Sequence, residues 1–141
     1  MYLLDTDVLC ELRRTNNTQP NQNVFEWAKN ITAESMYISV ISVLELDISI
    51  ISKERENVMD GAALRIWLQT QVLDAFSGRI LPVDVAVAQC TAGLCKSSDT
   101  DSDRNAIIAA TAVTHRMAIA TQNSTYFRHA GVDVINPWTH C

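Results

Sequence analysis

Asp5 and Glu45 are the acids whose placement points to chemistry. Asp5 opens Asp5-Thr6-Asp7 directly after the apolar run Met1-Tyr2-Leu3-Leu4. A carboxylate set just after a buried strand is held by the sheet and aimed at the crevice where parallel sheets bind ligands. Carboxylate oxygens held in this way suit a hard divalent cation. The same Asp-Thr-Asp before Val8-Leu9-Cys10-Glu11-Leu12 is also a helix N-cap, and both roles remain open. Glu45 lies inside the otherwise apolar Val40-Ile41-Ser42-Val43-Leu44-Glu45-Leu46, four residues after Ile41 on a face expected to pack inward. An acid there is costly to bury alone and fits better facing a crevice with a cation; a solvated helix edge is the alternative. His115, His129 and His140 stand near the ends of elements without triad partners, which argues against a general-base histidine. There is no Gly-x-Ser-x-Gly elbow and no glycine-rich phosphate loop.

Short strands alternating with helices must position these residues. The run 1–4 reads as a strand, followed by a helix on Val8, Leu9 and Leu12 that ends at Arg13-Arg14. Residues 15–23 form a polar loop, and Val24, Trp27, Ala28 and Ile31 mark a second helix. Residues 36–40 read as a buried strand, with Ile41, Leu44, Ile48 and Ile51 at helical spacing behind it. Residues 58–76 are expected to form five helical turns stopped by Gly78, and 79–83 a short strand with Pro82 near its end. Val85, Ala88, Ala92 and Cys95 suggest a helix, 96–103 a loop, and the small-residue run 106–112 a closely packing helix that starts at Arg104. Residues 117–120 and 132–135 are the last strands. The pattern is that of a three-layer α/β domain built on a short-stranded parallel sheet flanked by helices. Polar residues collect just after its strands: Asp5, then Ser39 and Glu45, then Thr121 and Asn123.

At 141 residues the chain has room for one domain, expected to span 1–141. With 48% hydrophobic and 19% charged residues it has the composition of a packed globular protein. The longest apolar run, 38–44, is far short of the roughly 20 residues that cross a bilayer. The N-terminus lacks a basic stretch before its apolar residues and does not read as a secretory signal, so the expected location is the cytoplasm, with no membrane contact. Cysteines at 10, 90, 95 and 141 have neither zinc-finger nor disulfide-scaffold spacing. They are expected to be thiols, with Cys10 and Cys90 buried. A net charge of -5 argues against wrapping nucleic acid on a basic surface but leaves room for a metal-mediated grip on phosphate. Arg13, Arg14, Arg104 and Arg128 are the candidate cations for a short contact of a few nucleotides.

Five blocks in order carry a family resemblance. Met1-Tyr2-Leu3-Leu4-Asp5-Thr6-Asp7-Val8-Leu9-Cys10-Glu11-Leu12-Arg13, Ser39-Val40-Ile41-Ser42-Val43-Leu44-Glu45-Leu46, Ala106-Ile107-Ile108-Ala109-Ala110-Thr111-Ala112, Ala120-Thr121-Gln122-Asn123 and Gly131-Val132-Asp133-Val134-Ile135-Asn136-Pro137-Trp138 are similar to successive blocks of PIN-domain ribonucleases of the VapC/FitB toxin type. The resemblance spans nearly the whole chain. It implies a PIN-like nuclease domain that acts as a Mg²⁺- or Mn²⁺-dependent endoribonuclease toxin of a type II toxin–antitoxin system. Such an enzyme cleaves single-stranded regions of RNA, forms a homodimer, is silenced by a VapB-like antitoxin and meets operator DNA only through that antitoxin.

Carried over residue by residue, the resemblance makes Asp5 and Glu45 the first two family acids and metal ligands. Asn105 stands where the third acid and metal ligand is expected, and Asn123 at the fourth polar position of the catalytic set. Thr6 and Thr121 would orient the substrate. Asp7 replaces a common family Asn, and Tyr126 replaces an acid. An Asn for Asp change keeps the shape and one oxygen but removes a full charge. Metal affinity should fall, and a preorganised electrostatic contact of this kind is commonly worth about two to three orders of magnitude in rate. The sequence thus suggests a weakened or inactivated enzyme; the alternative is a catalytically dead PIN-fold protein that acts only by binding an antitoxin. Asp101 would compensate if the helix began early enough to put it four residues before Asn105, whereas Asp103 or Ser102 as N-cap would not. Trp27 and Trp67 lie on apolar stripes open to core or dimer and antitoxin contacts. Asp5-Thr6-Asp7 also matches the start of haloacid-dehalogenase phosphatases, but the later Lys and Gly-Asp pair of that class are missing.

Overall fold

β1 (Tyr2–Leu4) sits at the centre of the molecule because its three apolar residues can be covered on both faces. In the computed structural model, which describes residues 1–13, 21–95 and 100–139 (of 100–102 the backbone only), it pairs in parallel with β2 (Met36–Ser39) and β4 (Ala118–Ala120). β3 (Ile80–Leu81) and β5 (Val134–Ile135) close the edges, giving a five-stranded sheet in the order β3-β2-β1-β4-β5. Leu3 faces a cluster with Ile108, Ala109, Ala112, Ile119 and Phe127, while Leu4 faces the opposite cluster with Val8, Leu9, Trp27, Leu46, Ile50 and Val72. This alternation along one strand makes a sheet with helices on both sides, a three-layer α/β architecture.

On the Leu4 side lie α1 (Thr6–Leu12), α2 (Gln22–Lys29), α3 (Val40–Glu56) and α4 (Val58–Trp67). On the Leu3 side lie α6 (Thr100–His115) and α7 (Ser124–His129), with α5 (Val85–Leu94) packed against α6. The short helical turn Ala33–Ser35 leads into β2. Gly61 allows α3 and α4 to touch: a Cβ there would lie 2.6 Å from the Glu54 Cα. Gly78, at φ +82°, makes the left-handed turn after the π-helical segment Leu68–Asp74. No helix among the described residues is long and apolar enough to cross a membrane.

Several expected elements differ in extent or phase. α2 starts at Gln22 because the Asn21 side chain caps the Asn23 and Val24 amides, so Gln22 and Asn23 leave the expected loop and Ile31 falls beyond the last turn. Val40 is the first residue of α3 and not the end of a strand, since the Ser39 hydroxyl caps the Ile41 amide. The buried face of α3 is Ser42, Leu46 and Ile50, whereas Leu44, Ile48 and Ile51 are 46%, 48% and 42% exposed. α3 is apolar on more than one face, so periodicity alone did not fix its phase. The five-turn helix is instead α4 plus the π-helical segment; the wider turn shifts the phase, leaving Ala62 and Ile66 exposed and Leu68 and Val72 buried. In α5 the buried residue is Val87, one step round from the expected stripe of Val85, Ala88 and Ala92, which are exposed.

α6 begins at Thr100, four residues before Arg104, so Ser102 and Asp103 lie inside the helix and are not its N-cap; acids suit this first turn. Cys10 is exposed because Val8 and Leu9 take the inward positions of α1, and Cys90 is only half-buried because Val87 takes that of α5. Trp27 is a core residue, edge-on to Tyr2 with ring centroids 5.3 Å apart, which removes it from the candidate interface residues. Trp67 packs against the same core and carries the Arg13 guanidinium 5.8 Å from its ring. The readings made for Arg14, for the loop at 15–20 and at 96–99, for the Asp101 side chain, for His140 and for Cys141 fall outside the described residues.

Candidate functional site

Parallel strands end on one rim, and the acids gather there. Asp5 follows Leu4 out of β1 with its backbone N–H still bonded to the Ala120 carbonyl of β4 at 2.9 Å. Its side chain caps α1 by accepting the Thr6 amide at 2.8 Å, so the N-cap role left open by the sequence is filled by one carboxylate oxygen, Oδ1. The other oxygen, Oδ2, accepts from the Thr121 hydroxyl at 2.8 Å, a buried bond across β1 and β4. Asp7, in the first turn of α1, accepts the Gln122 amide at 2.8 Å and lies 3.5 Å from the same Thr121 hydroxyl. From the other side, the Thr6 hydroxyl donates to Glu45 Oε1 at 2.8 Å and lies 3.1 Å from the Ser42 hydroxyl. Thr6 at the start of α1 and Thr121 just after β4 therefore link Asp5 and Asp7 with Glu45 of α3.

The electrostatics show how crowded this rim is. Burial pushes the Asp5 carboxyl up to about 6, and the neighbouring charge of Asp7 adds to the shift; the Thr121 and Thr6 hydrogen bonds work against it. Asp7 is raised for the same leading reason, partly offset by the amides of Gln122 and Val8 and by the Thr121 hydroxyl, with Glu45 as a further like charge. Asp7 Oδ1 is buried without a hydrogen-bond partner among the described residues. Glu45 Oε2 lies 3.9 Å from Arg104 Nε, and both side chains are 24% exposed.

The structure brings together Asp5, Thr6, Glu45 and Thr121. Asn105 lies half-buried on α6 next to Arg104, the residue that reaches Glu45. Asn123 stands at the start of α7 on the same rim, exposed, and its backbone amide donates to the Thr121 hydroxyl at 3.0 Å. Sequence reasoning passed over Asp7, Ser42 and Gln122. Asp7 had a signal, since two residues on from Asp5 it turns back to the same threonine, whereas an amide such as Gln122 N carries no trace in its side chain. Arg104, one of the candidate cations around the crevice, faces Glu45 in the structure. His115 ends α6 at the opposite end of the sheet and His129 ends α7, apart from the acids.

An all-oxygen donor set with a buried orphan oxygen and a carboxyl pushed up by burial and then by a neighbouring like charge fits a hard divalent cation. Among the described residues, however, no group of three or more His, Cys, Asp or Glu stands in ready-made ligand geometry.

A three-layer sheet with acids at its carboxyl rim defines a PIN-like α/β class. The chain is 32% identical over 145 residues to VapC ribonuclease Y4jK of Sinorhizobium fredii, covering 98% of each chain. It is 35% identical over 145 residues to Toxin FitB of Neisseria gonorrhoeae, covering 98% of this chain and 99% of that one. The crystal structure of FitAcB from Neisseria gonorrhoeae superposes with a TM-score of 0.85 at 35% identity, over 99% of each chain. No protein-family model matches the chain. This chain belongs to the VapC/FitB family of PIN-domain toxins, whose members include ribonucleases.

Proposed function

We propose that this chain is a Mg²⁺- or Mn²⁺-dependent endoribonuclease toxin of a type II toxin–antitoxin system, cleaving single-stranded regions of RNA with a site weakened by Asn105. The observation that carries this reading is the linkage of Asp5, Asp7 and Glu45 through Thr6 and Thr121 at one sheet rim. Asp5, Glu45 and Asn105 would hold the ion, with Asp7 beside them. When bound, the ion supplies charge neutralisation at the scissile phosphate and a more acidic water. Thr121 fixes Asp5 Oδ2, and Thr6 fixes Glu45 Oε1, so both acids are oriented before substrate arrives. Asn123 offers an exposed amide to orient RNA at the rim. Burial of Asp5 excludes water from its carboxylate and strengthens every charge interaction around it.

The partners proposed are an RNA substrate, a VapB-like antitoxin that silences the enzyme and brings it to operator DNA, and a second copy of the chain, all in the cytoplasm. The exposed apolar residues Leu44, Ile48 and Ile51 of α3 with Met59 and Ile66 of α4 support an assembled state. Asn105 also favours a second reading, a catalytically dead PIN-fold protein that acts only by binding its antitoxin. Cleavage of a structured RNA with Mn²⁺ by this chain and by Asn105→Asp separates the two. An active variant beside a slow but measurable parent supports the weakened enzyme, and a silent parent beside an active variant supports the dead one. Two folded, metal-supplied proteins that both leave RNA intact overturn the nuclease reading.

A further inference from the structure

The two oxygens of Glu45 are engaged differently. Oε1 accepts the Thr6 hydroxyl at 2.8 Å, while Oε2 faces Arg104 Nε at 3.9 Å. Arg104 precedes Asn105 on α6, so next to the residue that has lost a negative charge stands one that brings a positive charge to the same rim. A guanidinium keeps its charge at every accessible pH. Both partners are only 24% exposed, so water and salt screen the pair incompletely. Asp5 and Asp7 differ: among the described residues neither forms an ion pair with Lys or Arg, and each is held by hydroxyls and amides.

We propose that Arg104 is a positioning cation built into the acidic rim: it holds Glu45 Oε2 and competes with a divalent metal ion for that oxygen. The inference rests on the metal reading given under Proposed function. A cation entering between Asp5 and Glu45 must share Oε2 with the guanidinium or displace it, and in either case the full positive charge of Arg104 stays close to the seat. The rim therefore binds metal more weakly than its carboxylates alone would. The restraint is independent of Asn105, so restoring an acid at 105 relieves only part of it.

The test is Mn²⁺ binding by calorimetry to the full chain without RNA, for the parent, Arg104→Gln, Arg104→Lys, Glu45→Gln, the Arg104→Gln/Glu45→Gln double variant and Asn105→Asp. Arg104→Gln should tighten Mn²⁺ binding about fivefold, the upper range for a partly exposed ion pair. Arg104→Lys, which keeps the charge, should stay within about twofold of the parent. In the Glu45→Gln background the gain from Arg104→Gln should vanish, because the effect passes through that carboxylate. Arg104→Met keeps the aliphatic stem and reads the same outcomes if the Gln variant does not fold. Binding by Arg104→Gln equal to or weaker than the parent's, or the same gain without Glu45, overturns the inference while leaving the metal reading in place. Absence of Mn²⁺ binding in every variant, Asn105→Asp included, overturns both.

Discussion

Two acidic clusters in this molecule solve the same problem in opposite ways. Between α3 and α4, Asp47 and Glu54 share one arginine: Arg65 Nη1 meets Asp47 and Nη2 meets Glu54 at 2.8 Å. Those acids are 41% and 39% exposed, and each has the guanidinium as a direct partner. At the sheet rim, Asp5 is 7% exposed and is held by a hydroxyl and an amide, with its proton affinity raised by burial and by Asp7. The first cluster is complete as it stands. In the second, Asp5 and Asp7 have no Lys or Arg partner among the described residues, and a bound divalent ion would supply the charge they lack.

The largest expected effect sharpens the contrast from the side of activity. Asn105→Asp should raise Mn²⁺-dependent RNA cleavage about 100- to 1000-fold over the parent, measured as initial rates on one RNA. Next comes pH. The folded carboxyl of Asp5, at about 6, lies above its ordinary 3.8, so the folded chain holds the proton more tightly than the unfolded one. The stability this lends is present in full below about pH 4 and is lost as pH rises through about 6. The expected loss is roughly 2–3 kcal/mol of unfolding free energy by denaturant titration without metal, with the Asp7 shift acting in the same direction. Mn²⁺ at pH 8 should restore part of it, and a metal-free stability that rises over this range would break the comparison.

Two smaller effects belong to the complete cluster. Gly61→Ala should cost about 1–3 kcal/mol in chemical denaturation, because the added Cβ meets the Glu54 backbone 2.6 Å away and must push α3 from α4. Arg65→Gln should lower the denaturation midpoint only slightly, less than Gly61→Ala does, since exposed ion pairs contribute little, and it should leave Mn²⁺ binding unchanged. A loss of metal affinity in Arg65→Gln would remove the distinction between the two clusters.

Much of the fold was legible because strands of two to four residues must be apolar when helices cover both faces, and polar residues then mark where each strand ends. Asp5, Thr121 and Asn123 are such markers, and the rim brings Asp5 to Glu45 through Thr6. Helix phase was less legible. α3 and α5 carry apolar residues on more than one face, so Leu44 and Val85 looked as buried as Leu46 and Val87. A single wide turn after Trp67 moved the phase of everything behind it. At the site, Asp7 was undervalued because a carboxylate stood where an amide is common, and the geometry that turns it to Thr121 depends on the first turn of α1. The pairing of Arg104 was not legible for a related reason: an arginine at a helix start reads as a surface charge until the helix opposite it presents Glu45.

The central claim is that the rim acids form the seat for a divalent ion. It is tested most directly by diffusing Mn²⁺ into crystals of the full chain and mapping its anomalous scattering. A peak is expected between the carboxylates of Asp5 and Glu45. A peak confined to Asp47 and Glu54, or none at the rim at saturating Mn²⁺, would contradict it.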